Sequence, residues 1–408
     1  MRTVTVFLLL LLTTLPALAQ ESTYRDRLYG QVITRDGVVH EGFIQWDKNE
    51  AGWVDILDGS KSLESPLRHR DRHRTMRIFG IEIEWDDDDD HTWSQTRQSG
   101  IRLGHVLRLE NIGSNRALLT LRSGQEIEFS HGSTDIGNSV RSIIVEEKYA
   151  TAEFRWRDID HVDFMAVPRN APAPRSGERL FGTLTTQDGL SFTGYICWDI
   201  DEVLEADILD GDDERGRDRE IPFGDIAEIA RNNSRSARVT LKTGEELILD
   251  GSNDVNNENR DILVLDPNLG QVRVPWKAFD TVVFEPADYT LSLDRFYNAG
   301  PLTGSVETRD GDTYAGTIRW DDDEAYTWEF INGESDDLDF KVELGLIQRI
   351  ERISSQMARV ILLDGRILEL RGSNDVNREN SGIVVTDKDG DVIVVDWDDF
   401  EAATFEKR

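Results

Sequence analysis

Gly182-Thr-Leu-Thr-Thr-Gln-Asp-Gly189 leads to Gly194 five residues on and then to Trp198-Asp199, and the same signature stands twice more in this 408-residue chain. It opens at Gly30-Gln-Val-Ile-Thr-Arg-Asp-Gly37, with Gly42 and Trp46-Asp47 behind it. It returns at Gly304-Ser-Val-Glu-Thr-Arg-Asp-Gly311, with Gly316 and Trp320-Asp321. A second polar motif follows in each copy, at Gly132-Ser-Thr-Asp135, Gly251-Ser-Asn-Asp254 and Gly372-Ser-Asn-Asp375. A closing tryptophan comes at Trp156, Trp276 and Trp397, spaced 120 and 121 residues apart. Several markers that recur in one order at one spacing define a true internal repeat. The expected organisation is therefore three tandem units of roughly 105 residues each.

The hydrophobic period within a unit is two, which is the pattern of half-buried strands. Val239 and Leu241 precede Thr243-Gly244, and Leu247 and Leu249 follow on the same face; Val360, Leu362, Leu368 and Leu370 repeat the device around Gly365. Asp-Gly between such segments predicts a tight hairpin with a type I′ turn. The fold class is accordingly all-β. Unit 1 spans 28–164 with an insertion at about 60–100, unit 2 spans 180–284 and unit 3 spans 302–405. Residues 165–179, with Pro168, Pro172 and Pro174, read as an extended linker, and 285–301 as a second one.

Each unit also carries an internal echo. Phe223, Ile226 and Ile229 end the first half of unit 2, and Trp276, Phe279 and Val282 end the second, both at offsets of three and six. Strand, one helical turn, strand is the economical account of that spacing. A short helical turn before a closing strand resembles the ending of small SH3-like or Sm-like barrels, so two consecutive barrel-like halves per unit are expected. The resemblance is architectural and implies no ligand.

The chain begins with a basic Arg2, an apolar run from Val4 to Ala19 and an Ala17-Leu18-Ala19 ending, the pattern of a secretory signal peptide over 1–19. No later stretch has the length and apolarity of a transmembrane helix. An exported protein, periplasmic or extracellular, is expected. Its formal net charge of −33 repels phosphate backbones, which argues against nucleic acid as a partner. A protein or glycan partner is compatible with that charge. The single Cys197, in Tyr195-Ile196-Cys197-Trp198, reads as a buried structural thiol.

Catalytic patterns are weak. All seven histidines fall in unit 1, so no histidine-dependent site is common to the three copies, and no nucleophile elbow, zinc-protease helix or P-loop occurs. The expectation is that the protein is not an enzyme. Within the insertion, His69, His73 and His91 beside the Asp86–Asp90 run form one candidate metal cluster. Ile81-Glu-Ile83-Glu-Trp85-Asp86 mimics Ile318-Arg-Trp320-Asp321 and predicts an extra strand.

Two further sets of residues are candidates for function. Asp254, Asn256 and Glu258, with Asp375, Asn377 and Glu379, place oxygen ligands at alternate positions as calcium loops do. They depart from that pattern at the sixth position, where Asn259 and Asn380 stand instead of Gly. The competing account is that these residues cap loop backbone between strands. Trp46-Asp47, Trp198-Asp199 and Trp320-Asp321 form the second set, a repeated binding surface if the indoles are exposed, whereas the closing tryptophans alternate with core positions. The expected function is a non-catalytic exported binding or scaffold module built of β repeats. A Ca2+-binding repeat protein is the alternative, and a hydrolase with an unrecognised carboxylate site a distant third.

Overall fold

The structure is a computed structural model that describes residues 24–62, 75–78, 81–84, 96–130, 133–287 and 291–407. Residues 1–19, read as an export signal, most of the insertion and its His69, His73 and His91 lie outside the described residues. Among those described, the only regular elements are strands, in large antiparallel sheets, and 3-10 helices of three or four residues.

The alternation read from the sequence appears as alternating burial. Val32 is fully buried in strand Tyr29–Thr34 while its neighbours Gln31 and Ile33 are half exposed. One-turn 3-10 helices at Leu103–His105, Phe223–Asp225 and Leu344–Leu346 turn the chain into strands Val106–Gly113, Ile226–Asn233 and Ile347–Ser354. The residue that begins each helix, Leu103, Phe223 or Leu344, is buried.

The same strand order occurs three times. In repeat 2 the hydrogen-bonded neighbours run Asp218–Pro222, Ile208–Asp213, Glu246–Asp250, Ser236–Leu241, Ile226–Asn233, Phe279–Phe284, Phe181–Thr186, Ser191–Cys197, Ile262–Asp266 and Gly270–Val274. The ten corresponding strands of repeat 1 run in the same order from Thr96–Arg102 to Thr151–Phe154, as do those of repeat 3 from Leu338–Glu343 to Val392–Val395. Among the described residues these runs are open and no closed barrel is found.

The expectation of two consecutive halves is corrected. Ser191–Cys197, early in repeat 2, pairs with the late strand Ile262–Asp266, and Ile208–Asp213 pairs with Glu246–Asp250. The halves are interleaved. Phe279–Phe284 sits between Phe181–Thr186 and Ile226–Asn233 and joins everything into one sheet.

The hairpin turns also differ from expectation. Thr34 donates its N–H to Val38 O (3.0 Å) and Gly37 donates to Thr34 O (2.9 Å), closing the three-residue loop Arg35-Asp36-Gly37. Gly37 has φ +84°, while Asp36 is not among the positive-φ residues. This is a type I turn followed by a left-handed glycine, the next commonest hairpin after the two-residue primed turns. The primed conformation appears instead just after the tryptophans, where Asp47 and Lys48, Asp199 and Ile200, and Asp321 and Asp322 all have positive φ. Gly30 and Gly42 face each other across two strands, and both positions require glycine because a Cβ would lie 2.2 Å from a carbonyl oxygen of the next strand, Asp163 O or Glu146 O.

The three repeats share cores and seams. One continuous apolar core runs through repeats 2 and 3, where strand Gly270–Val274 pairs antiparallel with Leu338–Glu343. The core of repeat 1 takes in Phe296, from the segment read as the second linker, and Trp328 of repeat 3. Phe296 occupies the space beside Gly104, where a Cβ would meet its ring at 2.4 Å. A third cluster draws Val54 and Ile56, Tyr195 and Cys197, and Phe330 from the three repeats. Buried ion pairs reinforce it: Arg179 with Asp55, Lys61 with Glu329, and Arg102, 3.1 Å from Glu343. The first linker is likewise pinned, through Arg175 and Ser176 on Glu146.

Part of the insertion forms a backbone hairpin, Thr75–Ile78 with Ile81–Glu84, consistent with an extra strand there. It adds in parallel to Val392–Val395 of repeat 3.

Candidate functional site

The two repeated motifs of the sequence meet in space. After each first tryptophan the chain turns within three residues, so that Trp198 and Glu202 exchange both backbone hydrogen bonds, as do Trp46 with Glu50 and Trp320 with Glu324. The indole N–H then donates to the backbone oxygen of the acid in the second motif: Trp46 to Asp135 (2.9 Å), Trp198 to Asp254 (2.9 Å) and Trp320 to Asp375 (2.8 Å). The carboxylate of that acid turns inward and accepts a main-chain N–H from a neighbouring strand, from Asp58 (2.7 Å), Asp210 (2.8 Å) or Asn332 (2.6 Å).

The first aspartate of each turn is fully buried and held from the other side. Asp47 accepts from Arg141 N–H and guanidinium, Asp199 from those of Arg260 and from Asn253, and Asp321 from Ser381 N–H and Asn374 Nδ2. The glutamate four residues beyond each tryptophan completes the group. Carboxylate oxygens of Asp199, Glu202 and Asp254 all lie within 4.8 Å of one another, and so do those of Asp321, Glu324 and Asp375. Among the described residues, these are the groups able to hold a metal ion. The Oε2 atoms of Glu50, Glu202 and Glu324 are all buried without a hydrogen-bond partner.

Crowding acids together out of water disfavours their charged forms. Burial, then the neighbouring Asp254 and Asp199, pushes Glu202 up to about 9. Burial pushes Asp254 to about 6, Asp375 to about 7 and Asp135 to about 7. Glu50 and Glu324 are driven well above the usual carboxylate range by the same cause.

The sequence-derived sets are therefore regrouped. Trp46, Trp198 and Trp320 are fully buried, as are Asp47, Asp199 and Asp321, so this motif is a core feature and not an exposed surface. Trp156, Trp276 and Trp397 are buried too, each edge-on to the first tryptophan of its repeat at 6.2–6.3 Å. Of the calcium-like loops, only Asp254 and Asp375 point into the acid groups. Glu258 and Glu379 are exposed, and Asn256 and Asn377 cap the N–H groups of those glutamates at 2.7 Å. Sequence reasoning passed over Glu50, Glu202 and Glu324; their constant offset of four from each tryptophan was the available signal. Cys197 is buried and its thiol is pushed up by that burial, matching a structural thiol.

A carboxyl whose folded pKa is raised binds its proton more tightly when folded, so its contribution is complete below about pH 4 and fades as pH rises through the folded value. For Asp375 that window runs up to about 7. With chelator present, the Tm of the native chain should decline through this window more steeply than that of Asp375→Asn, whose amide stays neutral. Carboxylates shifted the other way, such as Asp213, contribute equally to both proteins. Parallel Tm–pH curves would contradict the assignment.

A second feature lies between the repeats. A cavity of about 520 Å³ opens where all three meet, lined by Asp58 and Asp135 of repeat 1, Gln271 and Arg273 of repeat 2, and Glu334 and Lys341 of repeat 3. Lys341 closes one side with hydrogen bonds to both oxygens of Asp58, at 2.9 and 3.1 Å.

Comparison with known protein families, curated proteins and solved structures returned no match. Among the described residues, no helix is long and apolar enough to cross a membrane.

Proposed function

We propose that the protein is an exported, non-catalytic scaffold of three tandem β units that captures a basic segment of a partner protein in the cavity between them. Each unit would consist of two interleaved five-stranded SH3-like halves that lack the ladder needed to close a barrel. The observation that carries the binding reading is the position of the cavity. It takes residues from all three repeats, so it exists only in the assembled chain, and acids outnumber bases around it. The formal charge of −33 extends that attraction over the whole surface and speeds the encounter with basic partners. The non-catalytic reading is supported by His105, the deepest of the described histidines, whose two nitrogens are engaged by Phe296 O and Glu343 at 3.2 Å each.

The test separates the cavity from general electrostatics. A fluorescein-labelled lysine-rich peptide is titrated against the native chain and against Gln271→Trp, which fills the cavity without changing charge. Filling the cavity is expected to weaken binding at least tenfold at moderate salt. Equal affinity for both proteins would place binding on the diffuse acidic surface and defeat the reading, and tighter binding of a neutral oligosaccharide than of the peptide would replace the proposed partner with a glycan.

A further inference from the structure

We propose that Asp321, Glu324 and Asp375 of repeat 3 form a binding site for a hard divalent cation, with Ca2+ the best fit. Their three carboxylate oxygens lie within 4.8 Å of one another, and all three residues are buried. Oxygens on opposite sides of a Ca2+ ion are about 4.6–5.2 Å apart, against about 4.0–4.2 Å around Mg2+. Three oxygens no farther apart than that limit can gather around one Ca2+ ion, at about 2.3–2.6 Å each, by adjustment of their side chains. The group is oxygen-only, with no imidazole or sulfur, and such donors select hard ions.

A second observation points to a ligand independently of the clustering. Glu324 is only 8% exposed, and its Oε2 is sealed from solvent with no hydrogen-bond partner. A buried acceptor without a partner is destabilising, and one such atom could be an accident of packing. The same atom is left in the same condition at Glu50 and Glu202, the equivalent positions of the other repeats. A recurring orphaned oxygen in a group of acids is what a cation would satisfy.

The other two ligands are preorganised. Ser381 N–H and the Asn374 amide hold Asp321, while Asn332 holds Asp375 through both its backbone N–H and its side-chain amide (2.6 and 2.9 Å). Such supporting hydrogen bonds orient metal ligands. Repeat 2 offers a similar group, but its Glu202 is less buried and its Asp199 is gripped by the Arg260 guanidinium at 2.7 and 3.0 Å. Among the described residues, Lys61 of repeat 1 lies close enough to Glu324 to act on its charge, and it is itself engaged by Glu329 and by Asp323 O. The site shares only Asp375 with the loop spacing seen in the sequence; its other ligands come from the Trp-Asp turn.

The full chain, stripped with EDTA and exchanged into buffer at pH 7.5, is titrated with CaCl2 by calorimetry and its melting is followed with and without the ion. Binding heat and a rise in Tm are expected, since a ligand of the folded state alone shifts unfolding by mass action. Glu324→Gln and Asp375→Asn should each abolish both signals, whereas Glu379→Gln, which changes an exposed acid of the neighbouring loop, should leave them unchanged. Terbium luminescence sensitised by Trp320 gives a readout independent of stability: it should appear in the native chain, be competed by Ca2+ and vanish in Glu324→Gln. Absence of heat, Tm shift and luminescence in the native chain would overturn the proposal, as would a full Ca2+ response in Glu324→Gln.

Discussion

Replacing Arg179 by Met is expected to destabilise the protein by roughly 3–5 kcal/mol, the range found when one partner of a buried ion pair is removed. The side chains of Arg179 and Asp55 are 1% and 2% exposed, and the guanidinium meets the carboxylate through two parallel bonds of 3.0 and 2.7 Å. Arg179 also donates to Ile196 O and Val203 O, while Asp55 accepts from the N–H groups of Ala51 and Gly52 at 2.7 Å. The pair thus ties a loop of repeat 1 to the first strands of repeat 2. Without the guanidinium, Asp55 is a buried carboxylate stripped of its hydrogen-bonded counter-charge. Adding Asp55→Asn removes that charge but keeps an acceptor for the two backbone donors, so the double variant should recover part of the loss. Urea unfolding of the four proteins of this cycle measures the coupling. A loss below about 1 kcal/mol in the single variant, the range of exposed pairs, would show that this contact does not clamp the repeats together.

Trp320→Ala is expected to destabilise by about 3–5 kcal/mol, as large-to-small core changes do. Trp320→Phe should cost less, because it keeps most of the ring and loses chiefly the indole N–H. That N–H donates to Asp375 O at 2.8 Å, and the ring packs edge-on against Trp397 and Phe400 at 6.3 and 5.4 Å. The phenylalanine variant leaves one buried carbonyl without its donor, an effect of about 1–3 kcal/mol. Thermal or denaturant unfolding distinguishes this role from that of an exposed ligand platform, which would leave stability unchanged on substitution. Because Asp375 is oriented from this tryptophan, the alanine variant should also weaken the Ca2+ response.

The sequence carried the all-β class, the short helical turns before strands such as Val106–Gly113 and the burial of Cys197 and the closing tryptophans. All of these rest on interactions between residues near one another in the chain. Alternation places Val32 and Leu184 on the inner face whatever their strand pairs with, and offsets of three and six mark a single turn wherever it lies.

Pairing and convergence are different in kind. That Ser191–Cys197 joins Ile262–Asp266 depends on contacts between residues some seventy positions apart, to which local periodicity is blind. Apart from their constant offset from each tryptophan, Glu50, Glu202 and Glu324 look in the sequence like any solvated glutamate near a loop of an acidic chain. Only the folding of the second motif over the first, fastened by the indole N–H, removes water from those carboxylates and brings Glu202 and Glu324 each within 4.8 Å of two aspartates. Local pattern decided which residues face inward; the tertiary structure decided what they face, because desolvation and charge proximity are properties of the assembled neighbourhood and not of the chain.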